Sequence, residues 1–73
     1  MTKTQARLLE YIRSYIAEHG YSPSIDEMAE GIGVWYTTAF IALKRLNERG
    51  IVVKGRGWRS VRIPDGGANA RAA

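Results

Sequence analysis

Seventy-three residues without a cysteine make one small domain whose core must hold without disulfide staples. A single histidine, His19, leaves no ligand set for a metal, and 45% hydrophobic with 25% charged residues is the balance of a folded chain. The net charge of +4 suits a polyanionic partner, while no apolar run approaches the ~20 residues of a membrane span and no signal-peptide core opens the chain, so the cytoplasm is the expected compartment.

Thr2 and Gln5 form a T-x-x-Q capping pattern, which predicts a first helix starting almost at the N-terminus. Leu8, Leu9, Tyr11, Ile12, Tyr15 and Ile16 recur at the i, i+3, i+4 interval of an amphipathic helix. Gly20 is a left-handed stop, beyond which Tyr21 can touch Ile16. His19, at that end and without a partner His or Cys, is assigned to capping or solvation. Pro23 keeps the Tyr21-Ser22-Pro23 connector extended.

Ser24 and Glu27 then form an S-x-x-E capping box for a second helix over 25–30, with Asp26 and Glu27 complementing the helix dipole. The pattern Ala29-x-x-x-Gly33 predicts a tight turn, because a small residue allows close crossing and Gly33 can take a positive φ. A third helix is expected over 36–49. At 100° per residue, Ala39, Ala42, Leu43 and Leu46 share its core face, leaving Thr37, Phe40, Ile41, Lys44 and Glu48 opposite. Gly50 ends that helix, with Ile51 closing back on Leu46.

Ile51, Val52, Val53 and Lys54, and later Ser60, Val61, Arg62 and Ile63, alternate as strands around the loop GRGWR. Ile51, Val53, Val61 and Ile63 are expected to cover the helices, with Val52, Lys54, Ser60 and Arg62 outside. Pro64 stops further pairing, and the Gly/Ala-rich remainder reads as a disordered tail. The expected architecture is mainly α with a small β-hairpin: a three-helix winged helix-turn-helix over 2–63, followed by the tail 64–73.

Charge is distributed unevenly along this plan. Residues 1–36 carry three basic against five acidic side chains, whereas residues 37–63 carry seven basic against Glu48 alone, a local net of +6. All the positive excess therefore lies in the third helix and the hairpin, a one-sided field that suits nucleic acid.

The stretch TKTQARLLEYIRSYIAEHGYSPSIDEMAEGIGV resembles the N-terminal DNA-binding domain of LexA-type repressors, with their Thr-x-x-Gln start and Gly-(aromatic)-x-Pro-(Ser/Thr) connector. LKRLNERGIVVKGRGWRSVRI fits the same family's third helix, strand and wing, and would equally suit the MarR and GntR groups of winged-helix regulators. The resemblance covers residues 2–63 and implies a transcriptional regulator, with repression the expected sign, that reads double-stranded DNA with helix three in the major groove. Three departures stand out. The turn after Gly33 is one residue shorter than in typical members. The Ser/Lys self-cleaving C-terminal domain is expected to be absent, and with it the usual dimerisation surface. The position after Val34, often a capping Ser, is Trp35.

DNA binding needs donors for phosphate and a face that fits base edges. Lys44 can reach a guanine or a phosphate, and Thr37 and Thr38 offer hydroxyls at the helix start, where backbone N–H groups also attract phosphate. Phe40 and Ile41 can meet thymine methyls; contact with the wing or a dimer partner is the alternative. Trp35 is read as a wedge between helices rather than a base reader. Arg56 and Arg59, flanking Trp58, suit a wing gripping the backbone or minor groove, and Arg45 and Arg49 are peripheral phosphate contacts or plain surface charge. A homodimer on two half-sites is the expected assembly. The competing reading is a protein-interaction module that docks the apolar face of helix three on another regulator or a polymerase subunit. No nucleophile–base pair, phosphate-cradling loop or cofactor motif is present, so an enzyme is not expected.

Overall fold

A computed structural model describes residues 2–57 and 59–64. Three helices, α1 (Lys3–His19), α2 (Ile25–Ile32) and α3 (Tyr36–Glu48), precede two short strands, β1 (Val53–Lys54) and β2 (Val61–Arg62). The strands pair antiparallel, with Val53 opposite Arg62 and Lys54 opposite Val61. This is the mainly helical, winged arrangement expected above.

Local hydrogen bonding explains where the first two helices begin. The Gln5 N–H donates to the Thr2 hydroxyl at 3.1 Å, which starts α1. The reciprocal half of that box is not made: Gln5 Oε1 is buried with no hydrogen-bond partner. At α2 both halves are present, with the Glu27 N–H on the Ser24 hydroxyl and the Ser24 N–H on Glu27 Oε1. Helix α2 runs two residues beyond the expected Glu30, because Ile32 still has a core to enter.

Glycine ends decide how the helices cross. Gly33 takes φ +74°, and the Val34 N–H returns to the Ala29 carbonyl at 2.9 Å, turning the chain sharply into α3. Gly50, at φ +75°, does the same for α3: its N–H bonds the Asn47 carbonyl while the Ile51 N–H reaches Leu46. An L-side chain at either glycine would sit in a strained backbone region, so both reversals depend on the missing Cβ.

Leu8 and Ile12 of α1, Met28, Ala29 and Ile32 of α2, and Ala39, Ala42, Leu43 and Leu46 of α3 fill one core, closed by Val52 and Val61. The three helices read from periodicity therefore bury the faces expected of them. Val52 is the exception, fully buried where the alternation had placed it outside. The reason is the closing turn of α3. Both the Ile51 and Val52 N–H groups bond the Leu46 carbonyl, so the chain is still bending at Val52 and strand alternation starts only at Val53.

His19, assigned above to capping or solvation, packs among aromatic rings. Its ring lies 4.1 Å from the Tyr15 ring and 5.7 Å from that of Tyr21. Tyr21 accordingly turns to Tyr15 and His19. Residues 65–73, read above as a tail, lie outside the described residues, as does Trp58.

Candidate nucleic-acid interface

Helix α3 is held by its core face and leaves the opposite face open. Ala39 and Leu46 are fully buried, with Ala42 and Leu43 nearly so, while Thr37, Phe40, Ile41, Lys44 and Glu48 all lie on the exposed side. Phe40 is 42% and Ile41 48% exposed, high values for large apolar side chains. Thr38 and Ile41 line, with Arg45 and Ala42, an open groove whose far wall is Thr2, Thr4 and Gln5 at the start of α1.

Trp35 is not a wedge. It stands at the N-cap of α3 with no side-chain capping bond and is 84% exposed. The turn is short enough that Val34, rather than Trp35, packs against the core. Trp35 and the half-exposed Tyr36 therefore add exposed aromatic surface at the start of the helix, Trp35 beside Gly33, Val34 and Thr38. Without a capping side chain, the first N–H groups of α3 remain available to an anion.

Six cations between residues 37 and 63 are exposed: Lys44, Arg45, Arg49, Lys54, Arg56 and Arg62. Arg45 lies 3.6 Å from Glu48, an exposed pairing between neighbouring turns that contributes little and leaves the guanidinium accessible. Asn47 Oδ1 accepts from the Lys54 N–H at 3.4 Å, linking the end of α3 to the first strand.

Arg59 is turned the other way, toward the seam between α1 and α2. Its guanidinium donates to Glu27 Oε2 at 2.8 Å, to the Ser22 carbonyl at 3.0 Å and to the Tyr15 hydroxyl at 3.2 Å. It also lies 4.9 Å from the Tyr21 ring centroid, within cation–π range. The Val61 N–H adds a bond to the buried Ser22 hydroxyl at 3.1 Å. The wing is thus latched to the helices by Arg59 and Val61. Tyr15, Ser22 and Glu27 were not marked by the sequence for this task, since they lie 32 to 44 residues along the chain from Arg59.

Hydrogen bonds from Arg59 and from the Ser24 N–H hold the Glu27 carboxyl at about 2, against an ordinary 4.5. A carboxylate with a depressed folded-state pKa contributes stability above its unfolded value and loses it as pH falls through its folded one. Thermal melts should therefore fall as pH drops from about 4.5 toward 2. Glu27→Gln is expected to melt lower at neutral pH and to fall less across that window; a parallel fall would place the acid sensitivity elsewhere.

The sequence model of the LexA DNA binding domain matches residues 1–57. The LexA repressor of Pseudothermotoga lettingae is 32% identical over 63 residues, covering 86% of this chain and 32% of that protein. LexA repressor 1 of Nocardia farcinica is 37% identical over 54 residues, covering 73% and 25%. The LexA repressor of Syntrophobacter fumaroxidans is 40% identical over 53 residues, covering 71% and 26%. The chain thus spans about a quarter to a third of the length of these relatives. Capped α2, the Gly33 turn, an open α3 face and a latched wing all fall within the family match or continue directly from it, and the chain belongs to the LexA DNA-binding domain family.

Proposed function

We propose that this chain is a sequence-specific duplex-DNA-binding module of a transcriptional repressor, working in the cytoplasm. Helix α3 enters the major groove, with Thr37, Phe40, Ile41 and Lys44 toward base edges and Thr38 and Arg45 toward phosphates. Lys54 and Arg56 carry the wing to the backbone or minor groove, with Trp58 between Arg56 and the anchored Arg59. The carrying observation is the open α3 face with six exposed cations on it and the adjoining wing, in a member of this family. Such a surface supplies phosphate donors together with a helix that fits the groove. Neither the family match nor the relatives support the alternative of a protein-interaction module. Two copies on half-sites about 34–36 Å apart would follow the general geometry of helix-turn-helix dimers.

Selection of bound sequences from a random duplex pool tests this reading. A recurring motif of a few base pairs is the expected result, and affinity for all duplexes alike would overturn it. The working unit is residues 2–63. Deleting residues 65–73, which include no large apolar side chain, should leave melting temperature and half-site affinity unchanged. A fall of several degrees would make the tail part of the domain.

A further inference from the structure

The reading face of α3 is built from unusual materials for a base reader. Direct readout of guanine commonly uses Arg or Lys, and readout of adenine uses Asn or Gln, because those side chains match two groups on one base edge. The outward ridge of α3 runs through Thr37, Ile41, Lys44 and Glu48, with Phe40 beside it. That ridge, every residue of which is described, holds no Arg, Asn or Gln. Asn47 stands off it, with its side-chain oxygen taken by the Lys54 N–H. Two large apolar side chains, about half exposed, occupy the places where polar readers would be expected.

We propose that Phe40 and Ile41 make this face a reader of pyrimidine 5-methyl groups. The inference rests on the DNA-binding reading above. The methyl at C5 is the one apolar group that a base pair displays in the major groove, so it is the natural complement of an exposed apolar side chain there. A hydrophobic pocket on another protein would cover the same side chains. However, Lys44 and Arg45 border them within a stretch of net charge +6, and that setting favours a polyanion carrying methyl groups. Thymine carries this methyl, and 5-methylcytosine carries it at the same ring position. The face should therefore respond to the methyl itself, whichever pyrimidine bears it. Cytosine's neighbouring amino group is tolerated where Thr37 or Glu48 can accept from it.

The experiment uses a bound duplex from the selection, with thymines replaced by uracil one position at a time. The protein is untouched and base pairing is kept, so folding cannot confound the result. One or two positions are expected to lose roughly fourfold in affinity each, the equivalent of about 0.8 kcal/mol for one buried carbon group. At each sensitive position the ratio of 5-methylcytosine to cytosine affinity should match the ratio of thymine to uracil. Ile41→Ala or Phe40→Ala should bring both ratios to about one, and both side chains are exposed, so these variants are expected to fold.

Uracil tolerated everywhere in a duplex that still binds specifically would overturn methyl reading and leave the DNA-binding reading intact. Equal affinity for cytosine and 5-methylcytosine would also overturn it. Sensitivity that survives both alanine variants would remove Phe40 and Ile41 from the role. Failure to bind any duplex would overturn both readings together.

Discussion

Raising salt from 50 to 200 mM is expected to weaken duplex binding by roughly 10²- to 10³-fold, if about four to six of the exposed cations each neutralise a phosphate. Log affinity against log salt should then have a slope of about −0.9 per contact, or roughly −4 to −5. Lys44, Arg45, Arg49, Lys54, Arg56 and Arg62 are the available contributors, all exposed. Arg56→Ala should weaken binding to every sequence by a similar factor and make the slope shallower by about 0.9. A selective loss at one base pair would put Arg56 in a groove instead. Arg59→Ala should behave differently, because its guanidinium is held by Glu27, Tyr15 and the Ser22 carbonyl. It should lower the melting temperature as well as affinity, which no solvent-facing phosphate contact would do. A flat salt plot would reject the basic surface as the footprint.

Leu46→Ala is expected to lower the melting temperature by about 8–40 °C, while Ile41→Ala on the same helix shifts it by no more than a few degrees. Leu46 is fully buried at the meeting point of α3 and Val52, and its carbonyl receives two N–H groups from the closing turn. Truncating a buried leucine costs about 2–5 kcal/mol, through lost transfer energy and the cavity left behind. A domain of this length has roughly 4–11 kcal/mol in all. Each kcal/mol moves the midpoint of so small a domain by about 4–8 °C. Ile41 is 48% exposed and has no cavity to leave. The pair separates folding from recognition: Leu46→Ala should lose DNA binding only where it unfolds, and Ile41→Ala should lose discrimination while folded. Similar melting shifts for the two would contradict the assignment of faces on α3.

What was legible beforehand follows from the range of the forces involved. Helix starts at Thr2 and Ser24 and stops at Gly20, Gly33 and Gly50 depend on hydrogen bonds a few residues long, and they were readable. The core faces of α1 and α3 were readable because burial repeats every 3.6 residues. Val52 was not, since two N–H bonds to one carbonyl shift the phase of the following strand by a residue. Trp35 was misplaced because aromatic size says nothing about whether a short turn leaves room inward. The open face of α3 was legible from its periodicity, while the commitments of Arg59 were not, because they join the wing to residues far back in the chain.

That wing latch also sets an order of events. Two strands of two residues each cannot persist alone in water, so the hairpin depends on its anchors to the helices, the bonds to Ser22 and Glu27 and the burial of Val61 in the core. Closing it requires bonds between residues more than 30 positions apart, whereas the hydrogen bonds within each helix span four, so loop closure weighs most on the wing. The wing is therefore expected to open more readily than the helices. The Val61 amide should exchange with deuterated solvent through a partial opening that leaves amides in the middle of α3 protected. A wing that opens while α3 stays formed would, on the proposed function, let the helix engage a duplex first and the wing close on it afterwards.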